Sequence, residues 1–179
     1  MKKFLFLFIF INISVLSFSQ TDSPTFLGIS MNIKGDVFIQ ELLNNGYTFE
    51  RDDDNNGNRY YTVKGKYLNF DNCTITVSYD IDTKNLDRVQ VNLPNYSSYK
   101  TEIPNIIADF DKEFDCRIIK SDEVNRKDFI WFSKDKSYSR SMTLGLYDSY
   151  DYCMIRYYAQ KSTEFNKRLV CKELGAKVL

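Results

Sequence analysis

The sequence predicts an α+β fold of two layers, an antiparallel sheet packed by two amphipathic helices, in pseudo-repeated helix-plus-four-strand halves. Three observations carry this expectation. Two segments place apolar residues at helical spacing, around 35–45 and 99–114. Each is followed by short runs in which apolar and polar residues alternate, separated by polar turns. No Gly/Ser-rich linker or shift in composition divides the chain, so both halves belong to one domain.

Residues 1–19 stand apart from that domain. Lys2 and Lys3 precede the apolar run Phe4 to Ile11, and Ser17 and Ser19 are small residues ahead of a cut before Gln20. That pattern is a Sec signal peptide. The run is broken by Asn12 and Ser14, whereas a membrane span needs about 20 apolar residues. No cysteine precedes Cys73, so no lipid-modified N-terminal cysteine is expected. The expected product is exported, periplasmic or extracellular, without a membrane span or lipid anchor. Residues 20–179 form the domain, with halves at about 26–94 and 95–160 and a tail at 161–179.

In the first half, Phe38, Ile39, Leu42 and Leu43 share one helical face over 35–45, and Gly46 follows where a left-handed cap is expected. The strands expected next are 47–50, 58–70, 73–80 and 87–94. Gly65 interrupts the second and predicts a bulge. Cys73, Ile75, Val77 and Tyr79 face one way in the third, as do Val89, Val91 and Leu93 in the fourth. "NFDN" and "DIDTKN" read as hairpin loops.

The second half repeats the order. Tyr99, Ile103, Ile106, Ile107, Phe110 and Phe114 recur over four turns, with Thr101 as cap and Pro104 in the first turn, where its missing N–H costs nothing. Strands are expected at 116–121, 128–133, 140–147 and 152–159. Met142, Leu144 and Leu146 alternate, as do Cys153, Ile155 and Tyr157. The tail, carrying Phe165, Leu169 and Leu174, reads as a loosely docked helix.

Composition narrows the chemistry. There is no histidine among the 179 residues, which excludes Ser-His-Asp and Cys-His catalysis and every His-containing zinc site. Losing Lys2 and Lys3 from 24 basic residues against 24 acidic ones leaves a mature charge of −2. Such a chain gives no electrostatic reason to expect nucleic acid as a partner. Four cysteines, at 73, 116, 153 and 171, allow three disulfide pairings. Cys73 and Cys153 share the parity of core-facing neighbours, so those two read as buried thiols.

The segment "ERDDDNNGNRYY" (50–61) begins like a calcium loop, with Asp52, Asp54 and Asn56 at alternate positions before Gly57. A full EF-hand needs a closing glutamate at position 12, and Val63 stands there inside a strand pattern. The segment therefore reads as a hairpin tip, with a weak calcium site on Asp52, Asp54 and Asn56 as the alternative and no other cofactor expected. Asp80, Asp82, Asp109, Asp111, Asp148 and Asp151 could supply the carboxylate pair of a glycan hydrolase, but nothing in their spacing makes any two converge. The chain holds 13 Tyr and 14 Phe, enough to furnish both a core and a surface patch. Tyr147, Tyr150, Tyr152 and Tyr158 crowd one hairpin, and Tyr152 and Tyr158 lie opposite the core-facing set. They are the candidate ligand contacts, able to stack on sugar rings or anchor a protein partner.

"FLGISMNIKGDVFIQELLNNGYTF" and "VKGKYLNFDNCTITVSYDIDTKNLDRVQVNLP" resemble the opening blocks of a group of exported Bacteroidetes proteins, over roughly residues 26 to 94. The usual pattern has Pro-Ile where Ser30 and Met31 stand, and commonly Gly at Ile33. The resemblance implies an exported protein and assigns no catalytic residue. The twice-repeated layout is also similar to that of the β-lactamase inhibitory protein, a likeness of fold alone. The function expected is a non-enzymatic binding or interaction module with a protein or glycan partner. The alternatives are a carboxylate-based glycan hydrolase and a weakly calcium-stabilised domain.

Overall fold

A computed structural model describes residues 24–94, 101–113, 116–123, 126–132, 139–147 and 150–159. The expected signal peptide and C-terminal tail lie outside them. The fold is mixed α+β and mostly β. A two-stranded hairpin, β1 (Thr25–Phe26) and β2 (Ile29–Ser30), precedes helix α1 (Gly35–Asn44). Four strands follow: β3 (Thr48–Asn55), β4 (Asn58–Tyr67), β5 (Phe70–Asp80) and β6 (Leu86–Pro94). Helix α2 (Glu102–Glu113) leads into β7 (Cys116–Glu123), β8 (Arg126–Phe132), β9 (Ser139–Tyr147) and β10 (Tyr150–Tyr158). All eight long strands form one antiparallel sheet in the order β3-β4-β5-β6-β10-β9-β8-β7. Two meanders thus meet along the β6–β10 ladder, where Leu93 pairs with Cys153 and Val91 with Ile155.

One face of the sheet carries the core. Val63, Ile75, Val77, Val89, Val91, Met142, Cys153 and Ile155 are buried there with Phe38 and Leu42 of α1 and Ile103, Ile106 and Phe110 of α2. Helix α1 begins where Gly35 N–H donates to Lys84 O at 2.8 Å, seating the helix on the β5–β6 loop. Gly35 is buried so tightly that a Cβ on it would lie 2.3 Å from Cγ of Tyr79. The helix ends as expected: Gly46 has φ +88° and its N–H donates to Leu43 O. Pro104 occupies the first turn of α2, as the Thr101 cap implied.

The short β1–β2 hairpin is absent from the sequence expectation. Two-residue strands are too brief for alternation to register, and Leu27 and Gly28 make its turn with positive φ. The hairpin closes an aromatic cluster. Phe26 stacks on Tyr67 and meets Tyr157 edge-on, with ring centroids 5.9 and 5.0 Å away. The hydroxyls of Tyr67 and Tyr157 hydrogen-bond to each other in the interior. Burial pushes both phenols above their ordinary range.

The register of β3 corrects the first hairpin. Its strand was expected to stop at residue 50, but it runs through the acidic triplet to Asn55. The turn is only Asn56 and Gly57, with φ +49° and +78°, the two-residue turn that suits strand twist. Aspartate is uncommon in strands, yet β3 is an edge strand exposed along its whole length, where charge deters pairing with other chains. The bulge expected at Gly65 is present between Gly65 and Tyr67. The ring of Tyr47 covers Gly65, where a Cβ would lie 2.2 Å from its Cδ1.

Candidate functional site

Both helices, α1 and α2, pack on one face of the sheet, and among the described residues no helix covers the opposite face. Antiparallel register aligns its side chains into rows. The middle row runs Arg51, Thr62, Thr76, Gln90, Arg156, Ser141 and Ile130 across seven strands. One neighbouring row runs Lys64, Thr74, Asn92, Met154, Thr143 and Asp128. The other runs Asp53, Tyr60, Ser78, Arg88, Tyr158 and Ser139. Strand spacings of about 4.8 Å make this face roughly 30 Å across, and the rows to Tyr152 extend it roughly 20 Å along the strands; within it Thr62, Ser78, Ser139, Ile130 and Tyr158 are buried, and the open part lies around them.

The face is polar and ordered by its own hydrogen bonds. Thr62 and Thr76 hydroxyls are 3.3 Å apart, Arg156 Nε donates to Gln90 Oε1 at 3.0 Å, and Gln90 Nε2 donates to Asn92 Oδ1 at 3.3 Å. Thr143 donates to Asp128 at 2.7 Å. These links tie neighbouring side chains of the face to one another. The cations near β3 are neutralised: Arg51 pairs with Asp53 at 2.6 Å and Lys64 with Glu50 at 2.7 Å. The central Arg88 and Arg156 have no carboxylate partner among the described residues.

Asp87, beside Arg88, sits in the irregularity where Ser78 pairs with Arg88 and Tyr79 with Leu86. Its carbonyl accepts from Ala159 N–H at 2.9 Å. Burial raises its carboxyl above the ordinary range, only partly opposed by the charge of Arg88.

The predicted tyrosines divide. Tyr152 lies on this face and is half-buried. Tyr158 lies on the same face, as its parity required, but it is only 8% exposed, so it is no open stacking ring. It sits between Arg88 and Ser139, and flanking side chains shield it. Tyr147 and Tyr150 pair across the β9–β10 hairpin, and their side chains are outside the described residues. The signal missed in sequence was the register itself: Arg88 and Arg156 are 68 positions apart in the chain and diagonal neighbours in the sheet.

Of Asp52, Asp54 and Asn56, the two aspartates face the guanidinium of Arg59. The guanidinium of Arg59 takes Asp52 in a two-pronged hydrogen bond, with Nε to Oδ1 at 2.8 Å, and its Nε lies 3.9 Å from Asp54. This hydrogen bond holds the Asp52 carboxyl below its usual range and raises Arg59. Asn56 serves the turn. No cluster of three potential metal ligands occurs among the described residues. Asp80, Asp109 and Asp111 have separate tasks, while Asp148 and the side chain of Asp151 lie outside the described residues. Asp80 accepts from the backbone and hydroxyl of Thr83 at 2.7 and 2.8 Å, Asp109 pairs with Lys112, and Asp111 accepts from Trp131 Nε1 at 2.8 Å.

Arg140, on the core face, is 4% exposed, with its guanidinium 4.1 Å from the ring centre of Tyr157 and Nη2 donating to Thr25 O at 3.2 Å. Its parity with Met142 could have revealed this burial. Cys73 and Cys153 are free and buried, and burial pushes the Cys73 thiol up to about 11. Thr74 pairs with Asn92 and Cys153 with Leu93, which puts the two cysteines on strands either side of β6, about 10 Å apart. That separation is beyond disulfide reach.

No family, curated protein or solved structure matches the chain. No helix among the described residues is long and apolar enough to cross a membrane.

Proposed function

We propose that the protein is an exported, non-enzymatic binding module that meets a protein or glycan partner through the helix-free face of its sheet. The observation that carries this reading is the composition of that face. Arg88, Arg156, Met154, Tyr152 and Tyr60 come together at its centre and flank. Arginine, tyrosine and methionine are the side chains most enriched where proteins meet. A hydrogen bond to Gln90, itself linked to Asn92, already fixes Arg156, so less of its entropy is lost on contact. The two helix-plus-four-strand halves are read as a pseudo-repeat whose junction forms the middle of this face.

The test is capture from the native envelope fraction with mass-spectrometric identification. Tyr152→Ala and Met154→Glu alter the proposed face, whereas Gln40→Glu alters the exposed side of α1. The reading requires that the first two reduce capture of the same species and the third does not. Equal capture by all three variants rejects it.

A further inference from the structure

Resting on that contact face, we infer that its partner is a protein segment rich in carboxylates, recognised by Arg88 and Arg156. Arg156 stands opposite Gln90 and Arg88 opposite Tyr158, which makes the two arginines diagonal neighbours across the β6–β10 ladder. Their Cα atoms are then about 7–8 Å apart, close enough for both guanidiniums to engage acids on one segment. Arg156 spends its Nε on Gln90 at 3.0 Å, which fixes the plane of the fork and leaves both terminal nitrogens without a hydrogen-bond partner among the described residues. Arg88 makes no hydrogen bond or ion pair among the described residues, and both side chains are half-buried. Asp87 feels the charge of Arg88, but no hydrogen bond or salt bridge joins its carboxylate to either arginine among the described residues, and burial disfavours its ionised form. At the β3 edge of the face, Arg51 and Lys64 already have acids, whereas the central pair has none among the described residues.

A protein segment fits better than an acidic glycan. Sugar rings need an open aromatic platform, and Tyr158 is shielded while Tyr152 is half-buried. A segment crossing the centre would instead bring carboxylates to the arginines and apolar atoms to Met154.

The probe is fluorescein-labelled poly-L-glutamate, titrated with the mature protein and followed by anisotropy. Binding is expected, and it should weaken steeply between about 50 and 500 mM NaCl. Arg88→Ala with Arg156→Ala should weaken it about ten-fold or more, since charge-assisted hydrogen bonds are worth at least that factor each. Lys112→Ala removes an equal type of charge from α2 and should leave binding within about two-fold; melting curves confirm that each variant is folded. Absence of binding to the intact protein, retention by the double arginine variant, or equal loss in Lys112→Ala overturns the inference. Binding of heparin or polygalacturonate at these arginines, with poly-L-glutamate ignored, overturns it in favour of an acidic glycan. If Tyr152→Ala and Met154→Glu abolish envelope capture while the arginine variant does not, the contact face stands and the carboxylate partner falls. If none of the face variants affects capture, both fall.

Discussion

Replacing Gly35 with alanine isolates the packing of α1 on the sheet. In an ordinary helix this change stabilises by about 0.5–1 kcal/mol, because glycine loses more backbone freedom on folding. Here the new Cβ would sit 2.3 Å from Tyr79 Cγ and 2.5 Å from its Cβ and Cδ1. Ordinary contact needs more than 3.4 Å, so the helix start or the ring must retreat by over 1 Å. Tyr79 is 3% exposed on β5, between β4 and β6, and its Cβ cannot swing away. Gly35 is in turn tied to Lys84 O by its N–H. Overpacking of this kind costs about 1–3 kcal/mol, occasionally more, and it exceeds the backbone gain. The expected net loss is about 2 kcal/mol, read as a fall of about 4–8 °C in Tm or in urea unfolding. A double-mutant cycle identifies the cause: Tyr79→Gly removes all three atoms that the new Cβ meets, Cβ included, and in that background Gly35→Ala should be neutral or stabilising. An equal cost in both backgrounds, or no cost in the parent, would refute the steric account. Gly65→Ala is the contrast. Its Cβ meets the partly exposed ring of Tyr47, which can move at the loss of one hydrogen bond to Lys66 O, so its cost should be smaller.

Tyr67→Phe leaves the buried Tyr157 hydroxyl without its partner and should cost about 1–3 kcal/mol in chemical denaturation, while adding Tyr157→Phe should cost less than a second such loss. Asp87 has a raised folded pKa, so its ionised form weakens the fold: stability from this site is full below the unfolded value of about 3.9 and is lost as pH rises through the folded pKa. Asp87→Asn should therefore raise Tm at pH 7, with the advantage shrinking towards about pH 4; a constant difference would contradict the assignment. Millimolar calcium and EDTA should give coincident melts, because Arg59 already holds Asp52; a calcium-dependent rise in Tm would revive a cation site there.

Much of this architecture is legible in the residues. Strands β5 and β6 alternate cleanly because one face is buried and the other polar, and the burial of Cys73, Ile75, Val77, Val89 and Val91 follows that parity. Pro104 and Gly46 punctuate the helices where their backbone chemistry demands. What the sequence misread was the edge. An acidic run resembles a loop because aspartate disfavours strands, but an edge strand answers to solvent and to the avoidance of pairing. The candidate site was half legible. Parity put Tyr152 and Tyr158 on the face opposite the core, but parity carries no information about which strand lies beside β10. Only that neighbour relation brings Arg88 to Arg156, and shielding by neighbours is what removes Tyr158 from the open surface.

The β6–β10 ladder also dictates an order of assembly. Within each meander, consecutive strands are joined by short turns and their contacts are local. Across the junction, Pro94 pairs with Tyr152 and Arg88 with Tyr158, partners 58 to 70 positions apart. Closing so long a loop costs entropy that is recovered only once both meanders present finished edges. The junction therefore zips last, after the hairpins. Weakening it at Val91 or Ile155 should mainly speed unfolding, whereas damage at the Asn56–Gly57 turn should mainly slow folding. The proposed contact surface, centred on that junction, thus comes into being only at the final folding step.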